Sequence, residues 1–166
     1  MNIPIMKLSY TEEDIRFIKD EIEKVLRSGL LTMSSRVRAF EEQFSDYCGV
    51  KYALGTNSGT SSLEIILRSI DVENKTVIVP SNTYMATPLA AIKAGAKIIF
   101  TECERSNLQM EPEDLKRKIR EDTKAVIIVH IGGIISPCFD EIKKICDDFN
   151  ISLVEDAAHA HGAEYN

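Results

Sequence analysis

Five short β-like runs alternate with stretches of helical periodicity, and this alternation constrains the fold more than any other feature of the chain. The runs are Tyr52–Gly55, Thr76–Val79, Lys97–Thr101, Ala125–His130 and Ile151–Glu155. Three of them are near-continuous Val, Ile and Leu, as in strands covered on both faces. Helical segments lie between them, near Thr60–Ser69, Thr83–Ala94, Glu111–Arg120 and Phe139–Phe149. Strand–helix alternation of this kind predicts an α/β fold of three layers, a mostly parallel sheet with helices on both faces. No internal repeat, low-complexity stretch or linker interrupts it.

Two helices are expected ahead of the sheet. Thr11 to Ser28 carries Ile15, Ile18, Ile22, Val25 and Leu26 at helical spacing. Thr11 can cap it, with Asp14 three positions on as a shortened capping box, and Gly29 stops it. A second helix is expected over Arg36 to Cys48, with Val37, Phe40, Phe44 and Tyr47 on one side and Gly49 at its end.

Composition narrows the functional classes. The 166 residues suit one domain with a real core. A net charge of −6 argues against a nucleic-acid footprint. No apolar run approaches the roughly 20 residues of a membrane span. The N-terminal MNIPIMKLSYTEED lacks an apolar signal core, so the expected location is cytoplasmic. Cys48, Cys103, Cys138 and Cys146 are scattered and form no C-x-x-C pair, which reads as reduced structural thiols. No metal site is expected, because His159 and His161 lack a second ligand pair at suitable spacing.

Three motifs carry possible chemistry. Gly55-Thr56-Asn57-Ser58-Gly59-Thr60-Ser61-Ser62 joins a strand to a helix. Small residues admit a ligand close to the backbone, and a helix N-terminus aims free N–H groups at it. The segment is neither a Walker loop nor G-x-G-x-x-G, and a plain capped turn is the bland alternative. Pro80-Ser81-Asn82-Thr83-Tyr84 follows the next strand; Tyr84 either stacks on a planar ligand or packs into the core. Asp156 ends a buried strand, where a carboxylate needs a partner; a helix cap or an ion pair would also satisfy it. His159 is a candidate for a hydrogen bond to a ligand oxygen, while His161 reads as structural. His130, before Gly132-Gly133, also points towards the ligand edge. All three motifs follow strands, at the edge where open α/β sheets bind ligands. A phosphate cradle, a ring-stacking aromatic and a carboxylate are the parts needed to hold pyridoxal 5'-phosphate.

With these residues in place, the sequence resembles the DegT/StrS family of sugar aminotransferases, within fold type I of the pyridoxal-phosphate enzymes. The resemblance runs through SGLLTMSSRVRAFEEQFSDYCGVKYAL, NSGTSSLEIIL, VIVPSNTYMATPLAAIKAGAKIIF, TKAVIIVHIGG and VEDAAHAHGA. It implies cofactor-binding roles for six residues. Ser58, Gly59 and Thr60 match the segment that holds the phosphate. Tyr84 matches the aromatic stacked on the pyridine ring. Asp156 matches the carboxylate facing the pyridine nitrogen. His159 stands where relatives often carry Gln, near the ring's phenolic oxygen. Ser34-Ser35 departs from the Gly-Pro that relatives often carry.

The resemblance also implies that residues 1–166 are the N-terminal part of the cofactor-binding large domain, without the rest of that domain or the small C-terminal domain. The Schiff-base lysine of the family lies beyond the Asp156 position, and no lysine of this chain matches its motif. No catalytic residue is therefore assigned, and the chain is expected to be inactive alone. The intact protein is expected to be a homodimer that aminates a nucleotide-linked keto sugar from an amino-acid donor. Two rivals stand beside this reading: a sugar dehydratase relative in which His replaces the lysine, and a non-catalytic or split-enzyme chain that binds a ligand or pairs with a lysine-bearing partner. In the family's sheet the first strand joins the others through two later ones, so Tyr52–Gly55 is expected to lack its usual neighbours.

Overall fold

The computed structural model describes residues 7–165. They form two compact units that divide after Gly55. In the first, α1 spans Glu12–Ser28 and α2 spans Ser35–Cys48. The capping box at the start of α1 is complete: the Asp14 N–H donates to Thr11 Oγ1 at 3.1 Å, and the Thr11 N–H donates to Asp14 Oδ2 at 2.8 Å. Gly29 and Gly49 end the two helices in the left-handed region, at φ 68° and 64°. Of the apolar stripe of α1, Ile18, Ile22 and Leu26 stay exposed, while Ile15 and Val25 are half-buried.

Tyr52–Gly55 is not a strand, which corrects the expectation from sequence. It pairs with no strand among the described residues, and Tyr52 and Leu54 are exposed. A four-residue extended segment is fixed as a strand only by a neighbour that takes its N–H and C=O groups. Here one of those groups is satisfied locally, as the Gly55 N–H donates to Glu41 Oε1 at 2.8 Å.

The second unit holds the sheet. Its elements are α3 (Gly59–Ser69), β1 (Thr76–Pro80), α4 (Ala86–Lys93), β2 (Lys97–Thr101), α5 (Pro112–Lys118), β3 (Thr123–Val129), a 3₁₀ turn (Ile131–Gly133), α6 (Phe139–Asp148) and β4 (Ser152–Asp156). The strands are all parallel, in the order β2-β1-β3-β4. A register shift next to Thr76 leaves Lys124 as the extra residue, with Val77 opposite Ala125. No helix among the described residues is long and apolar enough to cross a membrane.

Residue alternation along the strands sorts the core into two faces. Val77, Val79, Ala125, Ile127 and Val129 pack with Leu63, Leu67, Ala90 and Ala91 of α3 and α4. Ile78, Val126 and Ile128 pack with Leu115, Ile142, Ile145 and Cys146 of α5 and α6. Helix α4 starts later than the periodicity suggests. Residues 81–85 form a turn off β1, and Pro88 falls in the first helical turn, where a missing N–H costs little.

Asp114 staples α5 to the end of β2. Its Oδ2 accepts from the Glu102 N–H at 2.8 Å and pairs with Lys118 Nζ at 2.7 Å, while Oδ1 meets Arg117 at 2.9 Å. Burial pushes the carboxyl up, but Lys118, the Glu102 N–H and Arg117 together outweigh it and hold it at about 2. A depressed folded value stabilises the fold above the ordinary carboxylate range and is lost as pH falls through the folded value. Asp114→Asn is therefore expected to lower the urea midpoint at pH 7, with the difference from the parent shrinking between pH 4 and pH 2. A difference that does not change over that interval contradicts the assignment.

Candidate functional site

Four segments meet in a cleft of about 230 Å³, each from the carboxyl end of a strand or the helix that opens the second unit. The start of α3 brings Gly59, Thr60 and Leu63. The β1–α4 turn brings Thr83, Tyr84 and Ala86. The end of β3 brings Val129, His130 and Ile131, and the end of β4 brings Asp156, Ala158 and His159.

At the α3 end, Ser58 is the cap. Its Oγ accepts from the Ser61 N–H at 3.2 Å and donates to Ser61 Oγ at 3.0 Å. Thr56 and Ser62 tie the loop to the first turn, hydroxyl to hydroxyl at 2.6 Å. The Gly59 and Thr60 N–H groups carry no protein acceptor among the described residues. A Cβ on Gly59 would meet nothing within 4 Å, so the space beside Gly59 is open, and both residues line the cleft. Free N–H groups at the positive end of a helix favour an anion.

At the β4 end, a hydroxyl relay holds the carboxylate. Thr83 Oγ1 donates to Thr87 Oγ1 at 2.8 Å, and Thr87 Oγ1 donates to Asp156 Oδ2 at 2.7 Å. The Ala158 N–H reaches Oδ1 at 3.3 Å. No cation pairs with Asp156 among the described residues. A half-buried carboxylate facing a mostly apolar cleft, oriented by neutral donors alone, is complementary to a cationic group. Between the two ends Tyr84 stands exposed at the rim, its ring free to cover a planar ligand.

The structure thus brings Gly59, Thr60, Tyr84, Asp156 and His159 to one cleft. Ser58 lies behind it, shaping the loop rather than lining the space. His130 does not present its ring there. The residue is 2% exposed, its Nε2 lies 2.9 Å from Glu155 Oε2, and the Phe139 ring centroid sits 6.2 Å from that of His130. Glu155 and Asp156 are adjacent on a strand and so point to opposite faces; the His130 ring belongs to the α6 face. Its hydrogen bond holds the Glu155 carboxyl below its usual range, against the effect of burial.

Thr87 and Thr83 were missed from sequence. A signal was present: two threonines at i, i+4, straddling the start of a helix that follows a strand.

An anion cradle, an aromatic at the rim and an unpaired carboxylate fit a phosphorylated, planar ring with a protonated nitrogen. Known proteins agree with that chemistry. Residues 12–166 match the DegT/DnrJ/EryC1/StrS aminotransferase family. The chain is 37% identical over 151 residues to the dTDP-3-amino-3,6-dideoxy-alpha-D-galactopyranose transaminase of Aneurinibacillus thermoaerophilus, covering 90% of this chain and 41% of that protein. Streptomyces venezuelae DesV, solved in complex with a ketimine intermediate, superposes with a TM-score of 0.86 at 34% identity, over 92% of this chain and 42% of that one. The GDP-4-keto-6-deoxy-D-mannose-3-dehydratase of E. coli, solved with bound hydrated PLP, gives 0.85 at 27% identity, over 99% and 43%. The chain therefore spans about two fifths of the length of these relatives. Its fold is that of the fold type I pyridoxal-phosphate enzymes, and by the match over nearly its whole length it belongs to the DegT/DnrJ/EryC1/StrS aminotransferase family.

Proposed function

We propose that this chain forms the cofactor-binding face of a pyridoxal-phosphate-dependent aminotransferase that acts on a nucleotide-linked keto sugar, with an amino acid as donor. The observation that carries the reading is Asp156: an oriented, cation-free carboxylate at the ligand edge of the sheet. The Gly59 and Thr60 N–H groups would receive the phosphate. Tyr84 would cover one face of the ring and limit water there. Asp156 would accept from the ring nitrogen and keep it protonated, through a charge-assisted hydrogen bond. Thr87 and Thr83 would keep that carboxylate turned into the cleft. Once bound, the cofactor supplies an electron sink for carbanion chemistry at the substrate.

No lysine lines the cleft among the described residues. On this reading the amine that anchors the cofactor and moves the substrate proton comes from outside this cleft lining, and the chain by itself is expected to be inactive. The complete protein is read as a cytoplasmic homodimer. A dehydratase is the second reading, favoured by the structural match to the E. coli enzyme; a His in place of that lysine would select it.

The test compares pyridoxal phosphate with pyridoxal. If Gly59 and Thr60 grip the phosphate, removing it is expected to weaken binding to this chain at least about tenfold, near 1.4 kcal/mol. Inorganic phosphate should compete with the phosphorylated form. Equal affinities for the two ligands, followed by ring absorbance, would overturn the assignment.

A further inference from the structure

The Gly132-Gly133 turn is left unexplained by the cofactor reading, yet it makes the closest backbone approach in the site. Gly133 has φ 80°, and a Cβ built there would stand 2.8 Å from the His159 carbonyl oxygen. Only glycine tolerates both. Gly132, at φ 65°, turns its N–H onto the His159 ring and donates to Nδ1 at 3.2 Å. The loop that carries His159 is pinned at two further points. The Ala158 N–H bonds Asp156 Oδ1, and the Ala160 N–H bonds the Ala157 carbonyl at 2.8 Å.

We propose that the Gly132-Gly133 turn is a positioning device that fixes the tautomer of His159, so that the ring meets the ligand as an obligate donor through Nε2–H. A backbone N–H can only donate, so Nδ1 must carry the lone pair. A neutral imidazole with Nδ1 unprotonated holds its proton on Nε2. The remaining polar atom of His159 is then a donor and nothing else. At the edge of the cleft beside Asp156, it suits an acceptor oxygen on a bound ring. A ring fixed in this form does the work of a carboxamide N–H, which accounts for a His standing where the resemblance places Gln in many relatives. Two adjacent groups thereby acquire opposite, fixed polarities: Asp156 accepts and His159 donates. The identity of the oxygen as the cofactor's phenolic oxygen rests on the reading under Proposed function; the lock itself does not.

The lock is read by NMR on the ¹⁵N-labelled chain without ligand. His159 Nδ1 should resonate as an unprotonated ring nitrogen and Nε2 as a protonated one. His159→Ala removes an exposed side chain and should leave the fold intact. It should move the Gly132 amide proton upfield and speed its exchange with solvent about tenfold. Gly133→Ala should do the same to the Gly132 amide while His159 is still present. A Gly132 amide indifferent to His159→Ala overturns the lock. The donor role is read separately, with pyridoxamine phosphate as probe. His159→Ala should weaken binding about tenfold, while His159→Gln stays within about threefold of the parent. Gly133→Ala should match His159→Ala, and the double variant should be no weaker than either. Parent-like binding by Gly133→Ala overturns the positioning role. A parent that shows the lock but binds no pyridoxamine phosphate overturns the cofactor reading and the donor role with it.

Discussion

Asp156→Asn is expected to slow transamination by the complete enzyme about a thousandfold, a loss near 4 kcal/mol of transition-state stabilisation. The substitution keeps the shape of the side chain. Thr87 can still hydrogen-bond it, because a hydroxyl accepts as readily as it donates. Only the charge is removed. A neutral carboxamide does not hold a ring nitrogen protonated, and an unprotonated ring is the weaker electron sink. Cofactor loading should fall less than turnover, because the Gly59 and Thr60 N–H groups are untouched. The measurement is kcat in a chain extended to the full length of its relatives. Turnover within about threefold of the parent, under 1 kcal/mol, would leave Asp156 as a strand-end cap and nothing more.

Ile127→Ala is expected to cost the second unit about 2–5 kcal/mol. Ile127 is fully buried at the middle of β3, which has a strand on either side, and packs with the cluster under α3 and α4. Interiors are packed as tightly as organic crystals and relax only partly around a truncated side chain, so a cavity remains. Against a total of 5–15 kcal/mol for a domain, the loss is a large fraction. Ile65, on α3 and 47% exposed, provides the control. Ile65→Ala should shift the urea midpoint by less than about a quarter as much. Equal shifts for the two would place the core elsewhere.

Sequence carried much of this architecture because most of the elements announce themselves locally. The Thr11–Asp14 box and Gly29 bound α1 almost to the residue. The apolar runs from Thr76 onward became four parallel strands, within two residues of their expected limits at each end. Tyr52–Gly55 failed because four residues without a ladder carry no structural instruction of their own. The side chains at the cleft were harder to read. Which face the His130 ring takes depends on the pleat register of β3, and a one-residue difference reverses it. The Thr83–Thr87–Asp156 relay spans 69 residues between its last two members, so no local window contains it. Ser58 was read as a ligand contact because a cap and a phosphate loop use the same residue types. Its Oγ bonds Ser61 here, as a cap does, and the cleft is lined by Gly59 and Thr60 beside it.

The most direct test of the account is where pyridoxamine phosphate touches this chain. That ligand carries the phosphate and the ring but no aldehyde, so it needs no lysine. Titrated into the ¹⁵N-labelled protein, it should move the amide resonances of Gly59, Thr60, Tyr84 and residues 156–159 together, along one saturating curve. Residues of β2, on the far side of the sheet, should stay still. Saturable shifts confined to some other surface, or no shifts at millimolar ligand, would contradict the assignment of this cleft as the cofactor site.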